Sequence, residues 1–239
     1  MNPLASHSLD LSQPTGTPAV QATLAEVFAE TVADGAATGF VLAQPRPAAR
    51  SRSWSRDGAK DRPRGSVLFW VQDRLSRREA GRPYATGIAA LLGAPVEMLC
   101  LEVSRPADVL WAMEQALGCA ALSAVVGEVW GDPAALDFTA TKRLALRAER
   151  EGVQAWLIRR AATPALSAAR ERWRVGSVAS VPRPEDRRAP GAPLWRAVLF
   201  RSRTRAPGDW MAGPDGVAHD LAQDLAPARR GAALPRTAA

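Results

Sequence analysis

Histidine and lysine are almost absent from this chain. Its two histidines, His7 and His219, lie near the two ends of the 239 residues. A histidine-ligated zinc site or a Ser-His-Asp triad therefore has almost nothing to work with. Only Lys60 and Lys142 interrupt an otherwise all-arginine set of 31 basic side chains, and no lysine occurs in the first 45 residues. Cysteine is equally scarce. Cys100 and Cys119 each fall in an apolar segment, where a buried free thiol is expected rather than a disulfide. No uncharged apolar run reaches the roughly 20 residues of a bilayer span, since the stretch Gln115 to Gly127 is short and broken by glycine. An integral membrane protein is not expected. The first residues carry Asp10 and no Lys or Arg before Arg46, unlike a secretory signal, so the expected compartment is the cytoplasm.

What is present is a globular balance of 47% hydrophobic and 23% charged residues, which predicts a folded body despite 18 Gly and 19 Pro. The net charge of +7 is unevenly spread. Residues 1–44 hold four acids and no Lys or Arg, and 45–66 hold seven basic and two acidic groups. Residues 67–158 carry nine basic and eleven acidic groups, whereas 159–239 carry fifteen and seven. The C-terminal third is the basic pole, the feature an anionic partner such as nucleic acid requires, because neutralising phosphates releases counterions. The competing explanation is a GC-rich coding sequence that favours Arg and Ala everywhere.

Pro3, Pro14, Gly16 and Pro18 leave residues 1–18 with little apolar area to offset ordering, so they read as a disordered arm. The stretch 45–65, rich in Pro, Arg and Ser with Trp54 as its one anchor, reads as a flexible basic insertion. Residues 213–239 read as a disordered tail, with a possible short helix around Val217 to Leu225. Between these lie alternating units. SVLFWVQ (66–72), EMLCLEV (97–103), LSAVVGEV (122–129) and VQAWLI (153–158) have the profile of buried strands. A short helix ending at Gly93 separates the first two. A second helix, with Ser104 as its cap, Pro106 in its first turn and Val109, Leu110, Met113, Ala116 and Leu117 on one face, ends at Gly118. A third starts at Asp137 or Thr139, presents Leu136, Ala140, Leu144 and Ala148, and closes at Gly152. This alternation predicts an α/β fold, a mostly parallel sheet with helices on both faces. After residue 160, strand-like alternation around Trp173 and Trp195 predicts antiparallel strands at the C-terminal edge.

Open parallel sheets bind ligands beyond the carboxyl ends of their strands. The segment EVFAETVADGAATGF (26–40) has the position of a phosphate loop without its chemistry, because no Gly-Lys-Ser/Thr occurs to reach phosphates and magnesium. Glu128 stands where a magnesium-binding acid would sit, and is read as a solvated strand-end carboxylate. In SAARERWRV, Arg170, Arg172 and Arg174 alternate along one strand face, with Trp173 and Val175 on the other. In PLWRAVLFRSRTR, Arg201, Arg203 and Arg205 share a face, with Arg196 opposite. Two such strands side by side would make an arginine ladder able to track a phosphate backbone, or an edge guarded by charge. Trp173 and Trp195 fit a core better than base stacking. Cys100 and Met113 read as core filler.

Taken in order, EVFAETVADGAATGF, VLFWVQD, YATGIAALLG, DVLWAMEQAL, LSAVVGEV, LDFTATKRLALRAEREGVQAWLIR, SAARERWRV and GAPLWRAVLFRSRTRAPGDWM resemble the ImuA family over roughly Val20 to Asp215. That family consists of inducible-mutagenesis proteins that look like RecA with a lost phosphate loop. The resemblance implies one RecA-like domain over 19–212 and an accessory, non-catalytic role in SOS-induced error-prone translesion synthesis. It implies no catalytic residue, cofactor or metal. The partners it implies are a Y-family-like polymerase homologue and an error-prone replicative-type polymerase, with RecA and single-stranded DNA as further candidates. Candidate contact residues, for DNA or a partner, are Arg170, Arg172, Arg174, Arg196, Arg201 and Arg203. The alternative is a SulA-like SOS division inhibitor that binds the tubulin-like division protein.

Overall fold

A computed structural model of the chain describes residues 22–44, 67–180, 183, 185–186, 188–214 and 219–220. The proposed arm, the 45–65 insertion and nearly all of the proposed tail lie outside these residues; of the helix expected around Val217 to Leu225 only His219–Asp220 are described, and they form a strand because they pair with the sheet edge. The order of elements is β1 (Leu24–Ala29), α1 (Ala36–Ala43), β2 (Val67–Asp73), α2 (Arg74–Ala80), α3 (Ala85–Leu92), β3 (Glu97–Val103), α4 (Pro106–Ala116) and β4 (Leu122–Trp130). Then follow α5 (Phe138–Glu151), β5 (Gln154–Arg160), β6 (Glu171–Val178), β7 (Leu194–Ser202), β8 (Gly208–Ala212) and β9 (His219–Asp220). The strands form one sheet in the order β3-β2-β4-β5-β1-β6-β7-β8-β9. All pairings from β3 through β6 are parallel, and those from β6 to β9 are antiparallel. The chain is therefore α/β, with a mostly parallel sheet extended by antiparallel strands at the C-terminal edge, as the alternation predicts.

Central strands read as continuous apolar runs because both faces are covered. On one face Trp70, Val126, Ile158, Trp173, Val175 and Trp195 pack with Phe40 and Val41 of α1 and Ile88 of α3. On the other, Leu24, Val71, Val125 and Leu157 pack with Val109 and Met113 of α4 and Leu144 and Ala148 of α5. Each such side chain, fully buried, contributes about 1.5–3 kcal/mol of transfer free energy. Close approach is built in at two glycines. A Cβ on Gly39 would collide with the Trp195 indole, and one on Gly127 with the Met113 thioether. Trp173 and Trp195 are core residues, 3% and 4% exposed.

Local signals explain most boundaries. Asp137 caps α5 through the Ala140 amide at 2.7 Å, and Gly152 closes it with a left-handed φ of 71°. Three expectations need correction. The cap of α4 is Arg105, with no side-chain capping bond, rather than Ser104; Pro106 fills the first turn as expected. Helix α2 is an addition, begun by Asp73, whose Oδ1 accepts from the Ser76 amide at 2.7 Å while its Oδ2 accepts from the Trp130 amide at 2.9 Å. One carboxylate thus starts a helix and ties β2 to β4. Cys100 and Cys119 are free but exposed, because β3 is the sheet's edge strand and Cys119 lies in the turn before β4.

Strand order decides where a ligand crevice lies. From β2 the chain moves outward to β3, then returns to place β4 on the other side of β2. Helices α1 and α3 pack on one sheet face, α4 and α5 on the other. The carboxyl ends of β2 and β4 therefore flank a topological switch point, the usual place for a ligand in an open α/β sheet. Among the described residues, no helix is long and apolar enough to cross a membrane.

Candidate functional site

The carboxyl rim at this switch point holds a cavity of about 390 Å³. Its floor comes from Gln72 at the end of β2, Glu128 on β4 and Arg160 at the end of β5. The turn between β1 and α1 contributes Ala33, Asp34 and Gly35, and the approach to α3 contributes Arg82, Pro83 and Tyr84.

Glu128 is 2% exposed, which corrects its reading as a solvated carboxylate. Its charge is compensated in place. Oε1 accepts from Nε of Arg160, whose side chain is 4% exposed, while Oε2 accepts from Gln72 Nε2 at 2.6 Å and Trp70 Nε1 at 3.4 Å. Arg160 spends its remaining donors on the β1–α1 turn and the first turn of α1. Nη1 donates to the carbonyls of Asp34 (2.9 Å) and Val32 (3.4 Å), and Nη2 to Thr38 Oγ1 (3.0 Å). A phosphate loop turns amides inward toward an anion. This turn directs carbonyls inward around a cation.

The first amide of α1 is also taken. Asp34 Oδ1 accepts from the Ala36 amide at 2.8 Å and from the Ser177 hydroxyl at 2.6 Å, and Oδ2 accepts from the Ser177 amide at 2.7 Å. Partial burial pushes the Asp34 carboxyl up, but the bonds from Ser177 and Ala36 and the Arg160 charge outweigh it and hold the group below its ordinary value. A carboxylate of the chain itself thus takes the Ala36 amide at the start of α1. The segment 26–40 therefore has the strand, turn and helix of a phosphate loop and the opposite electrostatics.

The arginines of the basic pole are distributed differently from a shared ladder. Arg170, Arg172 and Arg174 do lie opposite Trp173 and Val175, which are in the core. Arg172 is buried, and its Nε donates to Glu26 Oε2 at 2.7 Å. Arg170 Nε donates to Glu149 of α5 at 2.5 Å. Arg196 on β7 grips Asp209 of β8 through Nε, at 2.9 Å and 3.1 Å, and through Nη2. Three of the six candidates thus bind acids of the same chain. Arg174, Arg201 and Arg203 are exposed and have no acidic partner among the described residues. A register shift between Arg172 and Trp173 interrupts the pairing of β6 with β7. Arg205 pairs with Glu171 at 2.8 Å and lies over the Trp173 ring.

The sequence reading missed Arg159, which completes a row across the sheet. The Arg159 guanidinium lies 5.5 Å from the Phe28 ring centre, and Arg172 lies 5.3 Å from the rings of both Phe28 and Phe200. Arg174 ends the row, 5.5 Å from Phe200. Burial lowers the Arg159 pKa against the opposing pull of Glu26 and Asp132. The signal for Arg159 and Arg160 is present in WLIRR, a buried run that ends in two cations at the ligand rim. Compared with protein-family models and curated protein sequences, the chain matches none.

Proposed function

We propose that this protein is a non-catalytic, RecA-like accessory protein of SOS-induced translesion synthesis, which helps assemble an error-prone polymerase at damaged DNA. The observation that carries the reading is the Arg160–Glu128 pair. It fills the β1–α1 turn of a RecA-like outline with a guanidinium, where nucleotide hydrolysis needs inward amides, a lysine and a hydroxyl for magnesium. The sheet, with β1 between β5 and β6 and antiparallel strands beyond, supports that outline. The order of the sequence pieces, which resemble the ImuA family, supports that family assignment. In this reading the ancestral nucleotide site is retained as a structural keystone, and the working surfaces are those that meet partners: a Y-family-like polymerase homologue, an error-prone replicative-type polymerase and RecA. Single-stranded DNA would meet Arg174, Arg201 and Arg203, the candidate arginines whose charges are not already matched. The role places the protein in the cytoplasm.

The test is genetic and biochemical together. Deletion should leave growth normal and lower mutation frequency after ultraviolet exposure, and affinity purification from damaged cells should recover the polymerase homologue. Unchanged induced mutation refutes the proposal. Filamentation on overproduction, with recovery of the tubulin-like division protein, replaces it with the division-inhibitor reading.

A further inference from the structure

The rim cavity has a chemistry of its own, independent of the role proposed above. Its charged floor is saturated: Glu128 is matched by Arg160, Gln72 and Trp70, and Arg160 by Glu128 and the β1–α1 turn. Asp34 is held by Ser177 and Ala36, and Arg82 at the rim pairs with Glu102 at 3.0 Å. A charged ligand seated on the floor would have to displace one of the bonds of Glu128 or Arg160, so the floor selects against phosphates and against cations.

The walls are apolar and aromatic. Leu42, Ile88 and Leu91 line the cavity between α1 and α3, with Trp195 and Trp70 beside them. Tyr84 stands at the rim 70% exposed, its ring set against Gly87, where a Cβ would lie 3.0 Å from the nearest ring carbon. Trp70 and Trp195 are 1% and 4% exposed and only back the wall, so Tyr84 is the ring open to a ligand, and its face favours a flat ring stacked on it.

One polar handle remains. The Gln72 amide donates to the Gly81 carbonyl at 2.9 Å and to Glu128 at 2.6 Å. Because both partners are acceptors, the orientation of the amide is fixed, with NH₂ toward them and Oε1 away. Oε1 accepts no hydrogen bond among the described residues, and Gln72 lines the cavity. It is an acceptor in search of an N–H.

From these features we infer that the cavity binds a neutral, planar aromatic group carrying a ring N–H, of the size and chemistry of an indole. The ring inserts between α1 and α3, and its N–H donates to Gln72 Oε1. The group comes either from a free heterocycle or from a tryptophan side chain of a partner.

Fluorine NMR titration of the full chain with 5-fluoroindole tests this. Saturable binding is expected, weakened about three- to tenfold by Tyr84→Ala, whose exposed position leaves the fold intact. The isostere 5-fluorobenzofuran, which lacks the N–H, should bind about tenfold more weakly. Millimolar ATP should not displace the probe. No saturable binding, equal affinity for the benzofuran, or displacement by ATP each overturns the inference. The amide of N-acetyl-5-fluorotryptophan separates the sources: affinity at or above that of 5-fluoroindole assigns the site to a partner's tryptophan, and its exclusion assigns it to a free heterocycle.

Discussion

Deleting the Arg160 guanidinium should be costly out of proportion to one side chain. Arg160→Met keeps the bulk of the stem and leaves Glu128, 2% exposed, without its cation. Breaking a buried ion pair from one side typically costs about 3–5 kcal/mol, because the surviving charge is uncompensated. Here Glu128 keeps Gln72 at 2.6 Å and Trp70 at 3.4 Å, which limits the loss. The Val32 and Asp34 carbonyls and the Thr38 hydroxyl also lose a donor, but Val32 and Asp34 lie in an outer turn where water can replace it. The expected cost is about 3 kcal/mol. For a chain of this length each kcal/mol moves Tm by about 2–4 °C, so the melt should fall by about 6–12 °C.

Urea denaturation followed by tryptophan fluorescence gives the free energy, with thermal melts alongside. The double variant Glu128→Leu, Arg160→Met removes both charges, and apolar replacement of a buried pair is often neutral. It should recover at least half of the single variant's loss. A single variant within about 0.5 kcal/mol of the parent, the range of an ordinary surface change, refutes the keystone argument. So does a double variant no better than the single one. Neither variant should gain ATP binding, since the turn still faces its Val32 and Asp34 carbonyls inward and lacks a lysine.

Five further outcomes are expected. Replacing Arg174, Arg201 and Arg203 together by Ala should lower the log–log salt slope of single-stranded DNA binding by about 0.7 per lost contact, about 2 in all. Arg172→Ala should instead cost stability, by stranding buried Glu26; an unchanged slope in the triple variant removes DNA from the proposed surfaces. The depressed Asp34 carboxyl contributes stability that is present above the ordinary carboxylate pKa of about 4 and is lost as pH falls through its lower folded value. Asp34→Asn should therefore flatten the fall in urea midpoint in that acid window, and an unaltered profile refutes the assignment. Both thiols should react with Ellman's reagent in the native protein, Cys100 the more slowly because partial burial raises its pKa against the pull of Arg82; a count of zero refutes their exposure. Gly39→Ala should lose about 1–3 kcal/mol in urea denaturation, because its methyl group meets the Trp195 ring between α1 and the sheet.

The elements legible in the sequence are those whose causes are local. LSAVVGEV reads as a buried strand because its apolar run is continuous, and Asp137 reads as a cap because it precedes a helical stripe by the right spacing. Helix α2 was hidden because only Ser76 of its seven residues is buried, so RLSRREA shows no apolar stripe. Its start depends on Asp73, whose second oxygen answers to Trp130 in another strand. Cys100 misled for a topological reason. EMLCLEV has the composition of a central strand, yet the chain turns back after it and leaves β3 at the edge, with Leu99 57% exposed.

The site fails to show in the sequence for a deeper reason. Alternation places Arg170, Arg172 and Arg174 on one face correctly, but what each guanidinium does depends on acids contributed by other elements. Arg172 meets Glu26, 146 positions away, because β1 lies beside β6; Arg170 meets Glu149 because α5 covers that face. Charge counted along the chain therefore overstates the charge available to a partner, and only the remainder can carry a nucleic-acid role. The same logic governs the rim. Glu128 on β4 and Arg160 on β5 are 32 residues apart and become a pair only because the sheet sets those strands side by side. Once paired, they set a guanidinium against the inward carbonyls of the β1–α1 turn, an arrangement set by strand neighbours that spacing along the chain does not reveal.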